Sequence, residues 1–242
     1  MTSAPACLAI GGSDSCAGAG IQADLATFTR AGVKGCSAIT ALTAQNPDRI
    51  DRIEPVAVAQ LEAEMLAIFD YYKVAAVKTG MLLDAAHVHC VAELLARRHT
   101  GRPLVVDPVM VASSGKQLLD DTGIATLTDE LFPLATLITP NLPEAARLLG
   151  RSNGDLVEDA AELAVRYRTA VLLKGGHRED EAFITDILVS GDGDVQLFTH
   201  AKQAWDPERS HGTGCRLAAA IAAGLAIGRD LAEAIGNAIE LV

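Results

Sequence analysis

The sequence predicts one α/β domain over residues 1–242, with a mostly parallel sheet covered by helices on both faces. Short apolar and β-branched runs alternate with stretches of helical periodicity along the chain. The apolar runs are continuous, which is typical of strands buried on both faces of a parallel sheet. Half of the residues are hydrophobic, and no linker or repeat divides them.

The predicted strands and helices alternate in chain order. The strands are ACLAIGG, GCSAITALTAQ, AAVKTGM, PLVVDPV, TLIT and AVLLKGG. The helices are GIQADLATFTRAG, PVAVAQLEAEMLAIFDYY, 84–98, a helix near 121–132, NLPEAARLLG and a helix near 155–168. This rhythm is that of successive βαβ units.

The last part of the sequence departs from that rhythm. DEAFITDILVS and DVQLFTH, joined through a Gly-Asp-Gly turn at 191–193, predict a small antiparallel hairpin added to the sheet. Two helices then follow, and the second, DLAEAIGNAIELV, stays apolar to the final residue.

Composition excludes several classes of partner. The net charge is −11 and the Lys and Arg residues are scattered, so neither a nucleic acid nor an anionic membrane surface is expected. No apolar run approaches the roughly 18 residues of a membrane helix, and the first residues lack the features of a signal peptide, so we expect a cytoplasmic protein. The five cysteines form no CxxC pair, and their spacing suggests neither a disulfide framework nor a zinc site.

Polar and glycine residues follow most of the predicted strands. In an open parallel sheet, ligands bind beyond the carboxyl ends of the strands, so we expect these residues to form one site. They are Gly12, Ser13, Asp14, Gln45, Asn46, 78–81, Asp107, 139–141 with Glu144, and 174–177.

The segment HGTGC has the features of an anion cradle. Gly212 and Gly214 allow successive N–H groups to turn inward, and the helix that follows adds its positive end. For so short a motif, an ordinary turn from loop to helix is an equal alternative. Neither the P-loop pattern nor GxGxxG is present, so a cradle here is of another kind. A cysteine at a helix start has its thiolate favoured by the helix dipole, so Cys215 is either a base or nucleophile of lowered pKa or a small buried hydrophobe.

Two carboxylates and a lysine complete the candidate phosphate end. Asp107 and Glu144 each follow a strand, and together they offer the carboxylate oxygens that hard Mg²⁺ would need. Pro143 and Glu144 could equally be explained by capping of a helix. Lys174 ends an apolar strand beside two glycines, where it would reach nucleotide phosphates or extend from the sheet edge into solvent.

The candidate substrate end has an amide and an acidic loop. Gln45 offers the donor and acceptor needed to read the edge of a nitrogen heterocycle, or is a solvated strand end. In GSDSCAGAGIQADL, Asp14 and the glycines before the helix would let a small ligand approach the backbone. Met81 would form an apolar pocket wall or part of the core.

Seven motifs in order carry a family resemblance. They are AIGGSDSCAGAGIQADLATF, GCSAITALTAQN, VKTGML, VVDPVMVASSG, LITPNLPEA, LLKGGH and SHGTGC. Together they resemble the hydroxymethylpyrimidine and phosphomethylpyrimidine kinases of thiamin biosynthesis, within the ribokinase-like superfamily. Because the motifs are collinear and cover nearly the whole chain, their combined specificity far exceeds that of any one of them.

The resemblance implies a three-layer ribokinase-like fold, usually a homodimer, that uses ATP and Mg²⁺. Its members phosphorylate 4-amino-5-hydroxymethyl-2-methylpyrimidine and then the resulting monophosphate. The implied catalytic residues are Gly212, Thr213 and Gly214, which form an anion hole, and Cys215 as base. The substrate-binding candidates are Gly12, Asp14, Gln45, Met81 and Val109. The ATP-binding residues are Asp107, Asn141, Glu144, Lys174 and Thr213, with Asp107 and Glu144 holding Mg²⁺ through waters.

The sequence departs from the family pattern in three places. Cys16-Ala17-Gly18 replaces a glycine pair, Arg216 stands where threonine is common, and the final helix has Ile239 and Glu240 near the place of a usual lysine. The alternatives are a pyridoxal kinase of the same fold and, because of that altered helix, a pyrimidine-binding regulator without catalysis.

Overall fold

The computed structural model describes residues 4–112, 115–176, 182–202 and 211–242, and its strands form one sheet. Six residues of the quoted motifs and strands lie outside these ranges: Ser113, Ser114, His177, Asp180, Glu181 and Ser210. The strands are β1 (Ala6–Asp14), β2 (Lys34–Asn46), β3 (Arg49–Pro55), β4 (Val74–Thr79), β5 (Leu104–Val106), β6 (Leu137–Ile138), β7 (Ala170–Leu173), β8 (Phe183–Val189) and β9 (Val195–Ala201).

The strand order in the sheet is β3-β2-β1-β4-β5-β6-β7-β8-β9. The six strands from β2 to β7 in this order are parallel, while β3 at one edge and β8 and β9 at the other are antiparallel. The chain moves from β1 to β2 on one side and later returns to place β4 on the other side of β1. This reversal opens a crevice at the carboxyl ends of β1 and β4.

Helices cover both faces of the sheet. They are α1 (Gly20–Arg30), α2 (Val58–Tyr71), α3 (Ala85–Arg98), α4 (Asp121–Thr126), α5 (Leu142–Leu149), α6 (Leu156–Tyr167), α7 (Thr213–Ala226) and α8 (Leu231–Leu241). One apolar core lies under α2 to α6, and a second lies under α1, α7 and α8. The predicted three-layer α/β fold with its antiparallel hairpin, β8 and β9, is therefore confirmed. None of the described helices has the length and apolarity to cross a bilayer.

One predicted helix is shorter and less regular than expected. The pattern near 121–132 forms α4, then a wide π-helical turn over Leu127–Leu131 and a tight turn over Phe132–Leu134. Pro133 in the tight turn has no N–H to donate and restricts the residue before it, so a regular helix cannot continue through this segment.

The edge strand β3 was not predicted. Its sequence is RIDRIEP, in which the ion pairs Arg49–Asp51 and Arg52–Glu54 lie exposed on the outer side. The strand is held instead by its antiparallel ladder with β2 and by Ile50 and Ile53, which pack on a small cluster containing Met81. Because a charged edge strand has no apolar run, a search for buried strands passes over it.

A buried ion pair ties α1 to β4. Lys78 Nζ donates to both carboxylate oxygens of Asp24 at 2.9 Å, and both side chains are 1% exposed. Asp24 occurs on the apolar side of α1 together with buried Ile21 and Phe28. Burial raises the pKa of Asp24 to about 6, although the Lys78 charge acts in the opposite direction.

We predict that Lys78→Met lowers the free energy of unfolding by about 3–5 kcal/mol, because it leaves the Asp24 carboxylate buried without its partner. The double variant Asp24→Leu/Lys78→Met should recover most of this loss. Urea denaturation followed by circular dichroism measures both.

The matched control is Arg52→Met, which breaks an ion pair on the exposed edge strand and should leave the denaturation midpoint nearly unchanged. A Lys78→Met variant as stable as the parent protein would show that the buried pair does not hold α1 in place.

Candidate active site

Most of the residues predicted at the strand ends lie around one cavity of about 1130 Å³ at the crevice between β1 and β4. All of the residues to which the sequence assigned a catalytic, binding or metal role line it: Gly12, Asp14, Gln45, Met81, Asp107, Val109, Asn141, Glu144, Lys174, Gly212, Thr213, Gly214 and Cys215. Five other residues expected at the strand ends do not border the cavity: Asn46, Thr79, Thr139, Pro140 and Gly175. The lining residues come from segments far apart in sequence, so the parallel sheet is what brings them together. Ile239 and Glu240 of α8 also reach the cavity.

The glycines of HGTGC allow α7 to begin against neighbouring backbone. Gly212 has φ +79°, and a Cβ added there would lie 2.1 Å from the Gly18 carbonyl oxygen, so no side chain fits. An added Cβ on Gly214 would lie 3.2 Å from Lys174 Nζ. The first turn of α7 therefore begins beside the Lys174 ammonium group, and it has the partial positive charge of a helix start. This geometry suits an anion.

Cys215 lies half-buried in the first turn of α7. Burial raises the pKa of its thiol to about 11, with the Asp107 and Asp24 carboxylates acting in the same direction and the Lys78 charge opposing them. The lowered pKa expected from the helix start alone was therefore wrong. Burial and two carboxylates from other elements outweigh the favourable end of the helix.

Lys174 and Asp107 form a second largely buried ion pair. Lys174 Nζ lies 2.9 Å from Asp107 Oδ1, which also accepts a hydrogen bond from the Thr139 hydroxyl at 3.1 Å. Burial alone would raise the pKa of Asp107, but Lys174 and Lys78 hold it below its usual value. Burial likewise acts to lower the pKa of Lys174, and the neighbouring carboxylates Asp107 and Glu144 raise it instead. Both partners are thus charged at neutral pH.

Glu144 caps α5 and lies in the cavity wall. The Asn141 side chain accepts from the Glu144 N–H at 2.9 Å, and Glu144 Oε2 accepts from the Asn141 N–H at 2.9 Å, which is a capping box. Its other oxygen, Oε1, accepts from the Met110 N–H at 3.2 Å. Burial raises the pKa of Glu144, with Asp107 adding to the effect. The capping interpretation is correct, and it leaves the carboxylate at the cavity.

Apolar side chains form one wall of the cavity. Gly12 faces Met81 so closely that an added Cβ would lie 3.0 Å from the Met81 sulfur. Val109 has φ +41°, a conformation that a β-branched residue rarely adopts. Val109 lies in the chain between Asp107 and Met110, and the Met110 N–H donates to Glu144 Oε1.

The polar end of the cavity centres on Asp14, which is 2% exposed. Its carboxylate accepts from the N–H groups of Cys16 at 2.9 Å and Ala19 at 2.8 Å. Burial acts to raise the pKa of Asp14, but these donors, together with the Gln45 side chain, lower it. Gln45 is half-buried, and Ser15 exchanges two hydrogen bonds of 2.9 Å with its backbone.

The sequence analysis did not identify Asp24 as a site residue, and it included Lys78 only within the segment 78–81 at the end of a strand. Both residues line the cavity. A signal was present, since an aspartate at the spacing of the buried face of α1 needs a partner in the core. The identity of that partner follows only from the packing of α1 on β4.

Comparison with known proteins gives consistent results. The family profile described as "Phosphomethylpyrimidine kinase" matches residues 14–242. A hydroxymethylpyrimidine/phosphomethylpyrimidine kinase of Rhizobium meliloti (strain 1021) is 46% identical over 235 residues, covering 96% of this chain and 86% of the relative.

Solved structures extend the similarity to the fold. Phosphomethylpyrimidine kinase from Clostridium difficile 630 superposes with a TM-score of 0.83 at 35% identity, covering 98% of this chain and 97% of that one. An ADP complex of Bacillus subtilis pyridoxal kinase has a TM-score of 0.86 at 33% identity, covering 98% and 90% of the two chains.

We predict that Cys215 reacts slowly with iodoacetamide at neutral pH and that its rate rises about tenfold per pH unit towards pH 10, because the thiolate fraction does so below a pKa of about 11. Mass spectrometry of the Cys215 peptide follows this site apart from the exposed Cys16. A rate that reaches its plateau below about pH 8 would contradict the raised pKa.

Proposed function

The chain belongs to the phosphomethylpyrimidine kinase family, and we propose that its cavity transfers the γ-phosphoryl group of ATP to the hydroxymethyl group of 4-amino-5-hydroxymethyl-2-methylpyrimidine. The monophosphate formed in this way is the acceptor of a second transfer, which yields the diphosphate used in thiamin biosynthesis. Family membership makes the protein a kinase, which disfavours the alternative of a pyrimidine-binding regulator.

One observation carries the proposal at the level of chemistry. The helix start at Gly212–Cys215 lies in the same cavity as the Lys174–Asp107 pair and the amide of Gln45. An anion cradle, a fixed cation and a group that can read a heterocycle are thus placed around one space. Phosphoryl transfer needs mainly this alignment and the neutralisation of charge.

At the acceptor end, we assign pyrimidine recognition to Gln45. Its side-chain amide offers both a donor and an acceptor, matching the exocyclic amine and ring nitrogen of an aminopyrimidine. Gly12, Met81 and Val109 would contact the ring, since they form the apolar wall of the cavity. Asp14 would hold the loop that closes this end, through its bonds to Cys16 and Ala19.

At the nucleotide end, we assign the phosphates to the first turn of α7 and to Lys174. Gly212, Thr213 and Gly214 would direct N–H groups at the transferred phosphoryl group, and Lys174 would contact the neighbouring phosphate oxygens. Asn141 would fix the position of Glu144 through the capping box.

The carboxylates at this end fit Mg²⁺. Among the described residues, both hydrogen bonds accepted by Asp107 go to Oδ1, which leaves Oδ2 for a metal-bound water. Glu144 is buried in the cavity wall, and each of its oxygens accepts one backbone hydrogen bond, Oε2 from Asn141 and Oε1 from Met110. Mg²⁺ favours oxygen ligands and retains several waters, so binding through water suits this pair. When bound, the ion would neutralise charge on the ATP phosphates.

Cys215 would accept the proton of the attacking hydroxyl. As the new P–O bond forms and the bond to ADP breaks, the alcohol proton moves to the sulfur. Only the thiolate can take it, and a pKa of about 11 makes the thiolate scarce at neutral pH. Lys78, whose charge favours the thiolate, is therefore placed to support the base.

A second candidate function is phosphorylation of pyridoxal, which also has a hydroxymethyl arm on a nitrogen heterocycle. The structural similarity to B. subtilis pyridoxal kinase supports this second candidate. Gln45 favours the aminopyrimidine, because pyridoxal lacks the exocyclic amine that its amide would bind.

We further propose one kinase domain over residues 1–242, because a single sheet carries every residue assigned above. We also propose a homodimer in solution, as the family resemblance implies, and a cytoplasmic location. Half-exposed Leu42 and Val111 give the surface apolar groups that an interface could cover. Sedimentation analysis measures the oligomeric state directly.

The function is tested by coupled ADP release with the pyrimidine alcohol, its monophosphate and pyridoxal measured side by side. We expect turnover of both pyrimidines and a lower kcat/KM for pyridoxal. A tenfold or greater preference for pyridoxal would contradict the pyrimidine assignment. Pyrimidine binding in calorimetry without ADP release at saturating Mg²⁺ would contradict kinase activity altogether.

We predict that Cys215→Ala lowers kcat by about 100-fold or more, which is the usual effect of losing a positioned base, and leaves KM similar. In the parent enzyme kcat should rise with pH above neutrality as the thiolate fills, and this rise should be absent in the variant. The control is Cys16→Ala, which removes an exposed thiol and should keep the parent rate. Equal kcat values for Cys215→Ala and the parent would exclude Cys215 as the base.

A further inference from the structure

A cluster of three metal-ligating side chains lies beside the kinase site. Asp14 ends β1, Cys16 follows in the loop to α1, and His211 precedes α7. One ligand atom from each lies within 4.8 Å of the others. The carboxylate oxygen Asp14 Oδ2 is 3.4 Å from Cys16 Sγ and 3.0 Å from His211 Nε2.

The cluster is held in shape by contacts outside it. Asp14 is fixed by the N–H groups of Cys16 and Ala19. The Arg216 guanidinium donates to the carbonyl oxygens of Gly18 at 3.1 Å and His211 at 3.0 Å, which joins the β1–α1 loop to the start of α7. The three ligands therefore face one another before any ion binds.

We propose that Asp14, Cys16 and His211 form a binding site for a soft divalent transition metal such as Zn²⁺, with water as the fourth ligand. Zinc bonds of about 2.0–2.3 Å in a tetrahedron place neighbouring O, N and S atoms about 3.3–3.6 Å apart. The two distances from Asp14 Oδ2 are close to these values, so binding requires only small movements.

The charges and protons balance. A carboxylate only accepts hydrogen bonds, so the imidazole nitrogen and the thiol both direct protons at Asp14 Oδ2. The ion takes the place of these two protons: Cys16 releases its proton to solvent, and the imidazole proton of His211 moves from Nε2 to Nδ1, which frees the Nε2 lone pair for the ion. The carboxylate and thiolate charges then neutralise the divalent ion.

One feature limits the affinity of this site. The buried His211 Nδ1 has no hydrogen-bond partner among the described residues, whereas metal-bound imidazoles usually donate from their second nitrogen. The site therefore suits reversible binding of an available ion more than permanent retention of a structural one.

The donor set separates this site from the Mg²⁺ carboxylates. Mg²⁺ favours six oxygen ligands, while Cys16 and His211 supply sulfur and nitrogen. Cys16 is exposed, which gives a metal access from solvent. A bound ion would link the β1–α1 loop directly to the start of α7, and both segments border the cavity.

Co²⁺ is the probe for this proposal, because its thiolate charge-transfer band and d–d bands report sulfur coordination and tetrahedral geometry. We expect both signals in the parent protein and in Cys215→Ser, and their loss in Cys16→Ser. Excess Mg²⁺ should leave them unchanged. Cys215→Ser is the matched control, since it removes the other thiol that borders the cavity.

Zn²⁺ affinity is then measured by competition with a chromophoric chelator. Loss of groups that only support metal ligands costs about 10–100-fold in affinity, so Cys16→Ser should weaken Zn²⁺ binding by about 100-fold or more. Retained Mg²⁺-dependent kinase activity shows that Cys16→Ser is folded. Co²⁺ bands that persist in Cys16→Ser, that disappear in Cys215→Ser, or that never form at millimolar Co²⁺ would each overturn the proposal.

Discussion

Two lysines buried at the carboxyl ends of parallel strands are the constraint on which the site depends. Lys78 of β4 binds Asp24 from α1, and Lys174 after β7 binds Asp107 after β5. A buried cation is costly to desolvate unless a carboxylate meets it, so each lysine fixes the element that supplies its partner. The two pairs thus keep cationic groups at the cavity in a chain whose net charge is −11.

The sheet and the convergence of the site could be predicted because both follow from local patterns. Continuous apolar runs identify the buried strands, and the rule for open parallel sheets then places their following residues at one edge. That reasoning brought Gln45, Asp107 and Lys174 together although they are far apart in sequence. Their positions around one cavity needed no knowledge of side-chain contacts.

The features that could not be predicted depend on contacts between elements. The pKa of Cys215 is set by burial and by Asp107 and Asp24, none of which a local view of the helix start includes. The partner of Asp24 likewise depends on how α1 packs. In the same way, three residues with no local metal pattern meet because α7 returns to the end of β1.

Val109 places a β-branched side chain in a backbone conformation that glycine would adopt without strain. Such a conformation costs on the order of 1–3 kcal/mol, and the folded protein tolerates it while the side chain lines the cavity. Glycine at position 109 would relieve this strain and would at the same time remove an apolar side chain from the cavity wall. The backbone strain and the shape of that wall therefore come from the same residue.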